Sequence, residues 1–233
     1  MKKILTMMML AVVMFGLSSC DKESEGLTSI TYFPVITLEG DSYMVVEKGS
    51  EFVDPGFKAD LNGEDVSSEV KVTSYVDTSA SGVYSIIYQV YNKDGFVATA
   101  SRTVVVLNLS DPIEGFYTTD PDCYRINAAG TKTVYGNSYE LLIIGNADGT
   151  YFVEDLLGGY YSQRAGYGEN YNLGGNIAID AAGKVSAVDS FLPGWADGLD
   201  EDLIDGTYDA ATGTLSWNAP YAGMNFYVTM TKE

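Results

Sequence analysis

The sequence predicts an all-β protein made of two consecutive β-domains, and three features carry that expectation. Thr, Val, Tyr and Ile are abundant, with 18 tyrosines in 233 residues, and such side chains fit a pleated surface. Apolar and polar residues alternate over short runs, while no long stretch shows the 3.6-residue period of an amphipathic helix. Turn signals rich in Gly, Asn and Asp separate the runs.

The elements follow in chain order. Met1-Lys2-Lys3 is a positive start, an apolar run extends to Gly16, and Leu17-Ser18-Ser19-Cys20 supplies small residues before a cysteine. This order reads as a secretory signal over residues 1–19, too short for a spanning helix. The pattern resembles the lipobox of bacterial lipoproteins. That resemblance implies a mature chain beginning at Cys20, its thiol joined to diacylglycerol and its amine acylated. Each buried methylene adds roughly 0.8 kcal/mol, so several chains hold the anchor in place. A cleaved signal with an incidental cysteine is the plainer alternative, but it leaves the cysteine's position at the end of the apolar run unaccounted for.

Residues 20–34 form an expected tether. Asp21, Glu23 and Glu25 resemble the acidic export signal that directs lipoproteins to the outer face of the cell, interrupted by Lys22 and Ser24. A solvated tether explains this charge but not its place beside the anchor.

The formal charge of −19 becomes −21 once Lys2 and Lys3 leave with the signal. Such a surface repels phosphate backbones and anionic headgroups, which excludes nucleic acid as a partner and leaves the lipid anchor as the one membrane contact. The chain has no histidine, which removes Ser-His-Asp and Cys-His catalysis and His-ligated zinc. Of its two cysteines, Cys20 is consumed by lipidation. Cys123 is left without a partner and is expected as a small buried apolar residue.

The first domain is expected over residues 35–108. Runs at 43–47, 70–75, 83–91 and 96–107 alternate as strands, and Asn92-Lys93-Asp94-Gly95 is a hairpin turn signal. Asp54 and Asp94 are expected to cap turns, with calcium ligation the alternative. Several motifs here resemble the bacterial Ig-like module of surface and secreted proteins. They are Val35 to Gly40, Val46-Glu47-Lys48-Gly49, Asp54-Pro55-Gly56-Phe57, Gly82-Val83-Tyr84, Tyr88, Asp94-Gly95 and Arg102-Thr103-Val104-Val105-Val106. The resemblance departs at Tyr91-Asn92-Lys93. It implies a β-sandwich acting as a spacer or adhesion module, in which Tyr84 pins a strand corner.

A Ser-Asp-Pro turn signal at Ser110-Asp111-Pro112 ends this unit, and residues 111–233 are expected as a second antiparallel β-domain. Runs at 139–145 and 150–154 flank Asn146-Ala147-Asp148-Gly149. Runs at 176–179 and 184–188 flank Asp180-Ala181-Ala182-Gly183, and strands at 214–217 and 225–230 close the chain. Hairpin after hairpin describes a meander, closed as a barrel in the lipocalin-like or avidin-like manner or folded as a sandwich.

Residues 156–175 and 189–206 break the strand pattern. They hold Tyr160, Tyr161, Tyr167, Tyr171 and Trp195 among glycines, flat apolar faces with polar edges that suit stacking on a sugar ring. These five are the candidate ligand-binding residues. The alternative is that they fold inward and plug the ends of the barrel. Asp197, Asp200 and Asp202 belong to the densest acidic cluster and are the candidate metal ligands. Calcium is the one cofactor they would admit, although their order is not that of an EF-hand loop, and a solvated turn or a short helix start favouring acids is the plainer reading.

No nucleophile elbow, phosphate loop or metal signature is present, so the chain is not expected to be an enzyme. Paired carboxylates, as in a glycosidase, are the chemistry an unrecognised hydrolase would use. The whole arrangement resembles the small accessory lipoproteins of starch-utilisation-type outer-membrane systems. By that resemblance the chain is a surface-exposed outer-membrane lipoprotein that binds an oligosaccharide or polysaccharide for an uptake complex. A structural or adhesive protein that binds other proteins is the alternative.

Overall fold

The computed structural model describes residues 30–233; the signal, Cys20 and the acidic stretch after it lie outside the described residues. The first unit contains β1 (Val35–Leu38), β2 (Tyr43–Glu47), β3 (Phe57–Leu61), β4 (Glu64–Asp65), β5 (Lys71–Ser74), β6 (Gly82–Tyr91) and β7 (Val97–Leu107). They form two sheets, β1-β3-β4 and β2-β7-β6-β5, in which β2 runs parallel to β7 and the other pairs are antiparallel. Ile86, Tyr88, Val104 and Val106 alternate inward and pack against Ile36, Leu38 and Phe57. This is the sandwich that the motifs imply.

Those motifs converge on one buried charge. Arg102 is fully buried; its guanidinium donates to the Glu39 carbonyl at 2.7 Å and the Gly56 carbonyl at 3.0 Å. Its Nε lies 3.3 Å from Asp54 Oδ1, while Tyr88 donates its hydroxyl to Asp54 Oδ2 at 2.8 Å. Asp54 also accepts the Gly56 N–H, as a turn cap does. Tyr84 donates to the Ala80 carbonyl at 2.9 Å, pinning the strand entry. The β6–β7 turn differs from expectation in its cap. Asn92, not Asp94, supplies the acceptor, with its Oδ1 taking the N–H groups of Asp94 and Phe96.

The second unit contains β8 (Gly115–Thr119), β9 (Tyr124–Ile126), β10 (Lys132–Val134), β11 (Glu140–Gly145), β12 (Tyr151–Val153), β13 (Gly175–Ile179), β14 (Val185–Ala187), β15 (Ile204–Asp209), β16 (Thr214–Tyr221) and β17 (Met224–Lys232). All pairings are antiparallel. They run β8-β11-β12-β13-β14 on one side and β8-β17-β16-β15 on the other, with β9 and β10 extending from the start of β17.

The ring closes at a seam between β14 and β15, where one bridge joins Lys184 to Thr207 and the Tyr208 N–H donates to the Gly183 carbonyl at 2.7 Å. Glycine permits that approach. A Cβ on Gly206 would stand 2.2 Å from the Val185 carbonyl oxygen, and one on Gly183 would stand 2.6 Å from that of Tyr208. The sheet is therefore a barrel around one core that includes Tyr117, Ile143, Leu156, Leu173, Leu215, Trp217 and Phe226. Cys123 is buried, and its Sγ sits 3.2 Å from the Thr229 N–H.

The two units share apolar surface. Val105 and Leu107 at the end of β7 pack with Leu142 and Ile144 of β11 and with Phe116. Glu114, nearly fully buried, accepts the Asn108 N–H at 3.0 Å, and Lys232 donates to the Asp111 carbonyl at 2.7 Å. The connecting residues are thus held by hydrogen bonds to the second unit.

Two substitutions test this account. Arg102→Ala leaves Asp54 without its counter-ion and two carbonyls without their donor, and should destabilise the first unit by about 3–5 kcal/mol in chemical denaturation. Gly206→Ala forces the seam apart and should lower the second unit's stability by about 1–3 kcal/mol or more.

Candidate functional site

One end of the barrel is closed by residues 155–173. Asp155, fully buried, ends the strand region after β12. Its Oδ1 accepts the Leu157 N–H at 2.9 Å and the Leu173 N–H at 3.2 Å, and its Oδ2 accepts the Gly159 N–H and the Ser162 hydroxyl. The segment is fixed again by Trp217 Nε1, which donates to the Leu156 carbonyl at 2.8 Å, and by the Tyr135 hydroxyl, which donates to the Leu157 carbonyl at 2.6 Å. Gly158 and Gly159 both take positive φ, at 64° and 77°. The chain there turns so tightly that a Cβ on Gly158 would lie 3.0 Å from Val228.

After those glycines, residues Tyr160–Arg164 form a π-helical turn, with Arg164 N–H bonded to the Gly159 carbonyl at 2.9 Å. A 3-10 turn follows at Glu169–Tyr171. The stretch read from sequence as irregular is therefore ordered turn structure.

That geometry divides the five aromatic candidates. Tyr160 and Tyr161 are 5% and 9% exposed and belong to the core, so for these two residues the inward plug is what the structure shows. Arg125 and Arg164 lie over the Tyr160 ring at 4.8 and 5.1 Å, cation–π contacts that fix it from outside. Tyr167 is 56% exposed and Trp195 43%, and Tyr171 is half-buried between them.

All five nevertheless form one cluster. Trp195 meets Tyr161 at 4.8 Å and Tyr171 at 4.9 Å, in edge-to-face contacts, and Tyr167 meets Tyr171 at 5.3 Å. Tyr221, which the sequence did not mark, stacks behind Trp195 at 6.4 Å. Gly194 lets the Trp195 loop lie on Tyr171, since a Cβ there would stand 2.6 Å from that ring.

The three aspartates proposed as metal ligands are not brought together. Asp197 accepts the Tyr221 hydroxyl at 2.9 Å, Asp200 the Gly223 N–H at 2.8 Å, and Asp202 the N–H groups of Ala187 and Leu203. Each serves a different group. Among the described residues no three His, Cys, Asp or Glu side chains converge as a metal site. Burial, reinforced by Asp197, pushes the Tyr221 phenol well above its usual range, so it remains a donor.

A second concavity lies beside this cluster, on the outer wall of β12 and β13. Phe152 and Phe191 flank a cleft of about 380 Å³ with Pro193, Glu154, Glu169 and Asp189 around it. Its floor is Gly174, bridged to Phe191, and a Cβ there would press on the Phe152 ring at 3.2 Å. Burial raises the Glu154 carboxyl, and Glu169 and Glu140 add repulsion, against the pull of the Leu142 N–H it accepts. Composition alone did not mark this cleft, because Phe152 sits in a strand and Phe191 in a loop far along the chain. Three consecutive apolar residues, Tyr151-Phe152-Val153, where alternation would place a polar one at the centre, were the available signal.

Burial also lifts Asp155, to about 6, while its four hydrogen bonds pull the other way. Its folded value lies above the unfolded one near 3.8, so the native state holds the proton more tightly. The contribution of Asp155 to stability is therefore largest below pH ~4 and falls as pH rises through ~6, by on the order of 3 kcal/mol. Asp155→Asn places an NH2 group against the Gly159 N–H or the Leu157 N–H and should destabilise the barrel by about 1–3 kcal/mol or more. Urea denaturation of both proteins should show their stability difference shrinking between pH ~4 and ~7.

Comparison with known proteins supplies the family. A model described as a bacterial surface protein Ig-like domain matches residues 36–106, and a model of a C-terminal domain matches residues 107–232. The crystal structure of the lipoprotein BT2262 from Bacteroides thetaiotaomicron is 35% identical, with a TM-score of 0.71 over 86% of this chain and 100% of that one. Two structures containing CBM51 domains of Clostridium perfringens ZmpB are 18% identical, with TM-scores of 0.28 and 0.26. One, with the M60 catalytic domain, covers 54% of this chain and 14% of its own; the other, in complex with GlcNAc, covers 52% and 28%. Scores that low carry no argument here. No curated protein matches the chain. Neither matching family model is described as an enzyme. The chain belongs to the family of BT2262, bacterial surface proteins of the cell envelope in which an Ig-like domain precedes a C-terminal β-domain.

Proposed function

We propose that this chain is a lipoprotein of the outer membrane, acylated at Cys20, whose Ig-like unit holds the barrel outward and whose barrel end binds glycans for an uptake complex. The observation that supports this reading is the platform of Tyr167, Tyr171 and Trp195. Three aromatic rings meet at one end of the barrel at different angles, and two of them leave about half their surface in water. Rings packed edge to face lose little freedom on binding, and each offers a flat apolar face to the C–H side of a pyranose. Carboxylate and amide groups of Glu169, Asn170 and Asn172 border the platform in the same turn, supplying partners for hydroxyls.

The test is a glycan panel probed with the mature protein, with and without calcium. At least one oligosaccharide should bind, and Trp195→Ala or Tyr167→Ala should weaken it about tenfold, or ~1.4 kcal/mol. No binding across the panel, or binding that both variants leave intact, contradicts the glycan reading and favours a protein-binding surface. The anchor is checked separately in cells: Cys20→Ser should abolish acyl labelling and release the protein from the membrane fraction.

A further inference from the structure

We propose that the cleft between Phe152 and Phe191 binds a protonated amino sugar. This goes beyond the aromatic platform at the barrel end: the cleft has its own rings, Phe152 and Phe191, although Glu169 and Asn172 border both.

The cleft is built by the backbone. Gly174 leaves room for the Phe152 ring, which a Cβ there would meet at 3.2 Å, and Gly175 lets the 189–190 backbone close in, since a Cβ there would lie 2.4 Å from the Asp189 carbonyl oxygen. Phe152 and Phe191, 38% and 55% exposed, both line the cleft. Two exposed rings lining one cleft suit a flat ligand with an apolar face. A volume of about 380 Å³ lies within the ordinary range for small-ligand clefts.

The polar lining selects the charge. Glu154, Glu169 and Asp189 border the slot, and no lysine or arginine does. None of the three carboxylates is in an ion pair; among the described residues such pairs join Lys58 to Glu39 and Arg102 to Asp54. Glu154 and Asp189 are held in place, Glu154 by the Leu142 N–H at 3.0 Å and Asn172 Nδ2 at 3.4 Å, Asp189 by the N–H and Nδ2 of Asn176. Ionised carboxylates accept hydrogen bonds and do not donate them. The complementary ligand therefore carries several O–H and N–H donors and a positive charge.

An ammonium group entering among these carboxylates relieves their mutual repulsion, and the aromatic faces attract it as well. A sugar carboxylate or sulfate is repelled at the same place. A neutral sugar stacks but leaves the repulsion, and a lysine side chain brings the charge but no ring face. An aminated pyranose meets both demands.

Calorimetry at low salt and about pH 6, where an aliphatic amine is protonated, tests the proposal with a β-1,4-linked glucosamine disaccharide. It should bind about tenfold or more tightly than its N-acetylated counterpart. Phe191→Ala and Glu169→Gln should each weaken it by about tenfold, whereas Tyr167→Ala and Trp195→Ala should leave it unchanged. Phe191 is exposed, so its variant should keep the parent's circular dichroism and melting temperature. Equal binding of the acetylated sugar, equal binding of a dilysine peptide, or indifference to Phe191→Ala would overturn the proposal. Loss of binding in Trp195→Ala alone would overturn it too, by assigning the sugar to the platform.

Discussion

The barrel end depends on one buried carboxylate. Asp155 gathers four donors from Leu157, Gly159, Ser162 and Leu173, groups that would otherwise be buried unpaired as the chain crosses the barrel. With those donors satisfied, the backbone can pass through two left-handed glycines and a π-helical turn without access to water. The turn in turn decides which tyrosines face the core. Tyr160 and Tyr161 pack inward on Phe226 at 5.2 and 5.8 Å, and the chain then emerges to place Tyr167 and Tyr171 outside, against Trp195.

The Ig-like unit repeats the same physical solution with the opposite charge. Arg102 is buried because carbonyls of Glu39 and Gly56, the Met44 sulfur and the Asp54 carboxylate surround it. The motif residues that mark the family are thus the ones that hold the sandwich closed, and they touch no concavity proposed as a site. Val105 and Leu107 pack against β11, so the strand that ends the sandwich also sets where the barrel begins, and Tyr43 of β2 lies 6.5 Å from Phe116 across the junction.

Strand-forming runs flanking a four-residue turn that opens on Asn or Asp and ends on Gly were legible in the sequence, as in β6 with β7, β11 with β12, and β13 with β14. Others were not, for physical reasons. β15 reads Ile204-Asp205-Gly206-Thr207-Tyr208-Asp209, and its one fully buried position is a glycine facing the Val185 carbonyl, so the burial leaves no apolar signature. β9 and β10 are three residues each and take their order from β17. The aromatic candidates were visible as a composition, but whether each faced in or out depended on a π turn set by Asp155, which as the second of two acids after a strand carried no mark. Asp197, Asp200 and Asp202 are near in sequence and were read as one cluster, yet each bonds a different backbone or hydroxyl group. The Phe152 cleft depends on a bridge between Gly174 and Phe191, which is a tertiary fact.

The central claim is that residues 155–173 are a rigid part of the barrel and not a mobile loop, because only a fixed segment can present preorganised rings. Amide hydrogen exchange measures this directly. The account predicts that the N–H groups of Leu157, Gly159 and Leu173 exchange as slowly as those in β16 and β17. Exchange of those three amides at the rate of an unstructured peptide, while the strands stay protected, would contradict it.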